Sequence, residues 1–286
     1  MKIEADLKFV KAWNSGFSKS LNLKLKDNLF IEKNFFFKKY LFLCPWHPVL
    51  FSNNVNDSFE EERYVILGKY NEVYGLTCTP LKEIPNNKKF RLLKYNLVVH
   101  YIDIRNKNIQ DLFKNYKSRI KSKIRSGYKK FRFIKINNFK SFLKYKEEIK
   151  RMIIVQHSFF CSPCPPIELI EILFLKDVLD IYIAFYKNNI VAFSSLTKDK
   201  NIVQVAWSAK KFDFKDNDLG ITFNHFCLEE AIKKNANIFS LGTSSRKSLG
   251  KFKEKLNAEK ALLLKRKINF KQSFNNIKYI KTSRNR

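Results

Sequence analysis

The sequence predicts an α+β chain, and three observations carry that reading. Apolar, β-rich segments at Asp180–Tyr186, Ile190–Leu196 and Ile202–Ser208 are separated by short polar turns at Lys187-Asn188-Asn189 and Lys198–Asn201, the pattern of an antiparallel meander. Segments with apolar residues at three- and four-residue steps lie on both sides of it, as amphipathic helices require. The chain has 286 residues, 45% hydrophobic and 15% aromatic, which corresponds to about two domains with enough apolar surface for a sizeable core.

The elements follow in order. The first 40 residues are weakly patterned, and Phe35-Phe36-Phe37 lead into an apolar run that reaches Leu50. Asn53–Glu62 is polar and reads as a loop, followed by short strands at Arg63–Leu67 and Val73–Thr77 and a longer one at Leu92–Ile104. Asn108–Lys130 is predicted as one helix from Ile109, Leu112, Phe113, Tyr116, Ile120 and Ile124, with Gly127 as its stop. A strand at Phe131–Ile136 and a helix at Phe139–Phe160 come next, ended by Pro163, Pro165 and Pro166. After the prolines, Ile167–Lys176 is a short helix, and the meander follows it. Asp218 is then placed as the N-cap of a helix over Leu219–Lys234. Ile238–Leu241 is a strand, Ser248–Leu256 a helix and Ala261–Ile268 a closing strand, before a basic tail that ends at Arg286.

Lys and Arg number 56 against 26 Asp and Glu, so 56 − 26 gives +30, with a pI near 9.9. Such an excess favours polyanions: nucleic acid, phosphorylated sugars or anionic lipid head groups. A solvated basic surface without a specific partner is the plain alternative. No stretch approaches the roughly 18 apolar residues of a spanning helix, since the densest run, Tyr40–Phe51, is broken by Cys44-Pro45-Trp46-His47-Pro48. The N-terminus has early acidic residues and no secretory pattern, so the expected compartment is the cytoplasm, with peripheral contact at the inner face of an anionic membrane. Five scattered cysteines argue against a disulfide framework. Cys161 and Cys164 could form a zinc site only with Cys44 and His47. The surrounding prolines and the lack of a second Cys-x-x-Cys favour a stiff connection instead, and no metal is expected.

The segment Asn237–Glu259, NIFSLGTSSRKSLGKFKEKLNAE, places Gly242-x-Ser244, Gly250, Phe252-Lys253, Ala258 and Glu259 after a strand. It resembles the corresponding segment of the FemAB-like branch of the GNAT acyltransferases, the peptidoglycan-bridge aminoacyltransferases and related sugar N-acyltransferases. Tyr116–Lys129, YKSRIKSKIRSGYK, resembles that branch's basic helix before a strand. The resemblance covers roughly residues 90–268 and implies two GNAT-like halves, each a mixed, mostly antiparallel sheet flanked by helices. A degenerate half at residues 1–162 and a second at 163–286, carrying the tail, would enclose the substrate cleft between them. Ordinary GNAT enzymes hold the pyrophosphate of acyl-CoA on a glycine-rich turn at the start of the helix after the meander, where backbone N–H groups can approach it. Here Lys210–Gly220 reads KKFDFKDNDLG, with one glycine and three aspartates. Negative side chains at that point disfavour CoA in the usual mode and favour aminoacyl-tRNA, which a +30 chain suits.

The implied activity is N-acyl or aminoacyl transfer to an amine of a cell-envelope precursor, a nucleotide- or lipid-linked sugar or peptide. No cofactor is tightly bound; acyl-CoA or aminoacyl-tRNA serves as co-substrate. The competing reading is a non-catalytic nucleic-acid or polyanion-binding protein on a GNAT scaffold. A third is acyl-CoA-dependent acylation of an amino sugar. On the predicted central helix, Asn224 and His225 stand within or beside a broad apolar arc and are the candidate catalytic groups. Arg246, Lys251 and Lys253, with the hydroxyls of Ser244 and Ser245, are the expected anion site. Arg119, Lys123 and Lys130 are a second choice for phosphate, and Trp207 and Tyr128 could stack on a base or sugar.

Overall fold

The computed structural model describes residues 30–35, 38–43, 72–80, 91–92, 98–159, 165–199, 202–244 and 247–269. The strand expected at Arg63–Leu67, the Cys44, His47, Cys161 and Cys164 group and the tail beyond residue 269 lie outside these residues, as does the expected division between 162 and 163.

The described strands form one eleven-stranded sheet. They are β1 (Phe30–Phe35), β2 (Lys38–Leu43), β3 (Glu72–Pro80), β4 (Arg91–Leu92), β5 (Val98–Asp103), β6 (Phe131–Lys135), β7 (Leu179–Tyr186), β8 (Asn189–Asp199), β9 (Ile202–Lys210), β10 (Ile238–Ser244) and β11 (Glu259–Asn269). The spatial order is β1-β2-β3-β11-β5-β10-β9-β8-β7-β6, with β4 on β11. Among the described strands only β2 with β3 and β9 with β10 are parallel. The helices are α1 (Ile109–Lys114), α2 (Ser118–Lys130), α3 (Phe139–Phe159), α4 (Ile167–Leu175), α5 (Leu219–Lys233) and α6 (Lys247–Glu254). The protein is thus an α+β fold with a mixed, mostly antiparallel sheet flanked by helices.

The meander pairs consecutively, β7 with β8 and β8 with β9, as three apolar segments joined by tight turns predict. Lys187 and Asn188, both at positive φ, form the tight turn between β7 and β8. Two apolar layers cover the sheet. On one face α3 and α4 pack Phe142, Ile149, Ile153, Leu169 and Leu173 against Ile181, Ile183, Phe193 and Trp207. On the other, α1, α2 and α5 pack Leu112, Ile120, Ile124, Phe223, Leu228 and Ala231 against Leu196, Val203, Phe239 and Leu241. Each such large side chain, fully buried, contributes about 1.5–3 kcal/mol.

Two expectations change. The helix expected over Asn108–Lys130 is two, because Lys117 is extended (φ −59, ψ 145) and so carries the buried Tyr116 inward between them. Of the strand expected at Leu92–Ile104, the described residues are Leu92, in β4, and Val98–Ile104, of which Val98–Asp103 form β5. Gly127 does not stop α2, which continues to Lys130; a Cβ there would overlap Thr222 on α5, so glycine permits close helix contact instead.

Candidate functional site

The parallel pairing of β9 and β10 runs from Ile238↔Ile202 to Ser240↔Gln204 and stops. Beyond it β9 stays with β8 through Ala192↔Lys210, and β10 stays with β5 through Ser244↔Val98. The two strands therefore fork. Each carries a register irregularity at the fork: β9 gains a residue opposite Ser195/Leu196, and β10 gains one between Ser240 and Thr243, where Gly242 takes φ 71. A left-handed residue at this point favours glycine. The Ser195 hydroxyl secures the β9 irregularity, donating to Trp207 O at 3.0 Å and accepting from Trp207 N at 3.1 Å.

Directly registered residues in neighbouring strands point to the same face. Thr197↔Gln204, Gln204↔Ser240, Ser240↔Tyr101 and Tyr101↔Glu259 thus form one polar row across β8, β9, β10, β5 and β11. It lies on the α3/α4 face, whose apolar cluster draws on β7, β8 and β9 but, among the described residues, not on β10, β5 or β11. Thr197, Gln204 and Ser240 are buried; Tyr101 is half-buried and Glu259 exposed, with the Tyr101 hydroxyl donating to Glu259 Oε2 at 2.9 Å. The row runs from the fork out to a carboxylate.

Beneath the end of β10, on the opposite face, stands Lys253. It is 6% exposed and donates to Gly242 O at 2.9 Å and Thr243 O at 2.7 Å, fastening the irregular end of the strand. Burial pulls its ammonium group down to about 7. Beside it the buried His100 bonds through Nδ1 to the Ser244 hydroxyl at 3.0 Å, and its Nε2 lies 3.7 Å from Glu254 Oε1. Burial, then the Lys253 charge, lowers the His100 pKa. Gly250 passes over this ring, 3.3 Å from its Cε1 at the position a Cβ would take.

The N-terminus of α5 is already occupied by an anion from the chain itself. Asp216 Oδ1 accepts from the backbone N–H of Asp218 at 2.7 Å and of Leu219 at 3.2 Å. Asp218, expected as the cap, makes no side-chain cap bond. Its carboxylate turns to α2, where it accepts from Lys130 Nζ at 2.8 Å and the Ser126 hydroxyl at 2.9 Å and lies 3.4 Å from Lys123 Nζ. Burial alone would raise the Asp218 pKa, but the bonds from Lys130, Ser126 and Lys123 outweigh it and hold the carboxyl below its ordinary value.

Among the other predicted residues, His225 is 2% exposed and faces α1 and α2, enclosed by the rings of Phe113, Tyr116 and Tyr128. Its Nδ1 is 3.4 Å from the Tyr116 hydroxyl and its Nε2 3.5 Å from Glu229 Oε1. Burial takes its pKa down to about 4, so the ring is neutral at neutral pH. Asn224 donates to Gly220 O at 2.8 Å within its own helix, and Trp207 is a core residue. Neither His225 nor Asn224 is brought to the fork. Lys251 and Arg119 are exposed, and Lys123 is engaged with Asp218. Ser245 and Arg246 lie outside the described residues. Among the described residues no group of three His, Cys, Asp or Glu could hold a metal, and no helix is long and apolar enough to cross a membrane. Sequence reasoning missed Gln204, Ser240, Tyr101 and His100; only the polar type of each within an apolar strand marked them.

No protein-family model matches the sequence, and no curated protein matches it. Solved structures do. FemX is similar with a TM-score of 0.57 at 10% identity, covering 84% of each chain. The C-terminal domain of a protein assigned as lysylphosphatidylglycerol synthetase from Agrobacterium fabrum gives 0.54 at 9% identity, covering 87% of this chain and 83% of that one. L-PGS from Bacillus licheniformis gives 0.52 at 10%, covering 83% and 80%. The chain shares the fold of these three structures, FemX among them, in line with the resemblance to the FemAB-like branch.

Proposed function

We propose that the protein is an N-acyl or aminoacyl transferase. The acceptor is an amine of a cell-envelope precursor, such as a lipid- or nucleotide-linked sugar or peptide, and it attacks the carbonyl of an ester or thioester donor at the β9/β10 fork. The observation that carries this reading is the fork itself. Two strands that part company release backbone N–H groups on their inner edges, and such donors can stabilise the oxyanion of a tetrahedral intermediate without reorganising. Lys253 fixes the β10 side of that opening. The polar row leads away from it and ends in the Tyr101–Glu259 pair, where hydroxyls of the acceptor find partners, while its amine attacks at the fork as the free base, giving its proton to solvent as the donor's alcohol or thiol leaves.

The donor favoured is aminoacyl-tRNA over acyl-CoA. A pyrophosphate seated on the N-terminus of α5 would have to displace the Asp216 carboxylate, which already takes the N–H of its first residue, Leu219, and that of the preceding Asp218. A non-catalytic polyanion-binding role is the second reading, supported by the +30 charge. A thermal-stability series against charged tRNA, acyl-CoAs and UDP-amino sugars tests both, because a ligand that binds only the folded state raises the melting temperature. Stabilisation by charged tRNA and by an amino sugar, with transfer of the aminoacyl group, is the expected result. Stabilisation by any RNA alike with no transfer to any amine would establish the second reading, and a response to acyl-CoA at low concentration would overturn the donor.

A further inference from the structure

The cations of α2 fall into two sets. Lys123 and Lys130 face α5 and are held by Asp216 and Asp218. Arg119, Lys121, Arg125 and Lys129 point elsewhere, and among the described residues none of the four has an ion pair; Arg125 only lies over the Phe113 ring, 5.6 Å from its centre. At about 100° per residue Lys121, Arg125 and Lys129 share one arc with Ser118, Ser122 and Tyr128, while Arg119 lies beside Lys130, beyond Ser126. Arg119, Arg125, Lys129, Ser118, Ser122 and Tyr128 are exposed and Lys121 half-buried. The helix has no acidic residue. From Lys121 to Lys129 the track is about 12 Å long. Gly127 against Thr222 and Asp218 against Ser126 bring its C-terminal end to the start of α5.

We infer that this arc is a docking surface for the phosphate backbone of an RNA, with Lys121, Arg125 and Lys129 as the phosphate contacts and Tyr128 as a ring on which a base or sugar can stack. The inference rests on the proposed aminoacyl donor and gives that donor a place on the molecule. Uncompensated cations on a rigid helix release counterions when phosphates replace them, and interleaved hydroxyl and aromatic groups add stacking and hydrogen bonds. A bilayer is the weaker partner, because a helix that lies in a membrane needs its apolar face towards the lipid. The apolar face of α2, Ile120, Ile124 and Gly127, is buried against the protein.

The test uses the full-length protein and a fluorescent RNA hairpin with a single-stranded tail, titrated by anisotropy over a range of salt concentrations. Two triple variants with equal charge change are compared: Lys121→Ala with Arg125→Ala and Lys129→Ala, and a control at exposed positions away from the arc, Lys140→Ala with Lys144→Ala and Lys176→Ala. The arc variant is expected to bind about tenfold or more weakly near physiological salt, with a salt slope shallower by about two units, while the control changes little. Equal losses in the two variants, or no loss in the first, would overturn the surface and leave a diffuse field. Lost binding to anionic phosphatidylglycerol vesicles with retained RNA binding would assign the arc to a membrane and also overturn it. Transfer activity separates the two proposals: an arc variant with full RNA affinity and full transfer removes the surface but not the transferase. An arc that binds RNA in a protein inactive with every donor removes the transferase but not the surface.

Discussion

Replacing Lys253 with methionine removes a cation and two hydrogen bonds from the end of β10 with little change in volume, and its consequence depends on pH in a direction that can be worked out. Burial depresses the Lys253 pKa from its ordinary 10.5 to about 7. Between those values the unfolded chain binds a proton at this position that the folded chain does not, so stability rises with pH through the window and is flat below it. At 1.36 kcal/mol per unit, going from about pH 7 to about pH 9.5 adds about 3 kcal/mol to the wild type through this one group. A thioether in its place cannot titrate, so the variant lacks that gain. Against it stands the loss of partners for Gly242 O and Thr243 O, at about 1–3 kcal/mol for each acceptor left unsatisfied. The cost of Lys253→Met should therefore be smallest near pH 6 and grow by about 3 kcal/mol towards pH 9.5. Urea unfolding of both proteins at a series of pH values measures it as a difference, which cancels the many other titrating groups. Parallel profiles would refute the reasoning: Lys253 would then be fully ionised throughout, its carbonyl bonds outweighing its burial.

Gly127→Ala should destabilise the protein by about 1–3 kcal/mol or more, since its methyl group overlaps Thr222 and must push α2 from α5, and Thr222→Ala should recover part of that loss in thermal unfolding. Asp216→Ala frees the first N–H groups of α5; it should cost about 1 kcal/mol as a lost cap and at the same time raise affinity for inorganic pyrophosphate by calorimetry, and an unchanged affinity would count against the carboxylate as the excluding group. Tyr101→Phe and Glu259→Gln should each leave stability within about 0.5 kcal/mol and lower kcat/KM for the acceptor by about tenfold, as expected where a binding contact is lost from an exposed pair.

The meander was legible because apolar runs and turn chemistry are local: Asn188 tolerates positive φ, and the segments on either side of it are short and almost wholly apolar. The fork was not legible. It depends on where β9 and β10 stop pairing, which is set by an extra residue in each against different partners, and nothing within either segment marks that residue except Gly242. The polar row is further from view, since Tyr101 and Glu259 are 158 residues apart and meet only through the register of β5 with β11. Glycine and lysine misled in opposite ways. Gly127 has the residue type of a helix stop and serves as a contact point, because the same missing Cβ permits both. Lys253 has the residue type of a solvated cation and is buried, because the strand carbonyls that receive it belong to another element and leave no mark on an amphipathic helix of eight residues.

Charge on this protein is sorted by element, and that sorting bears on the donor. The positive end of a helix such as α5 suits a small anion, yet Asp216 fills it and Asp218 draws Lys123 and Lys130 to its side. The two aspartates neutralise the N–H groups and two of the nearest cations together, so a single pyrophosphate finds little field there. The remaining cations of α2 are left outward on a rigid track that ends at the same place. A ligand with one or two phosphates gains little from such a track, because each exposed contact is individually weak and screened by salt. A ligand with many regularly spaced phosphates gains from all of them at once through counterion release. On the proposed reading, this arrangement of charge favours an extended nucleic acid over a compact nucleotide carrier as the donor.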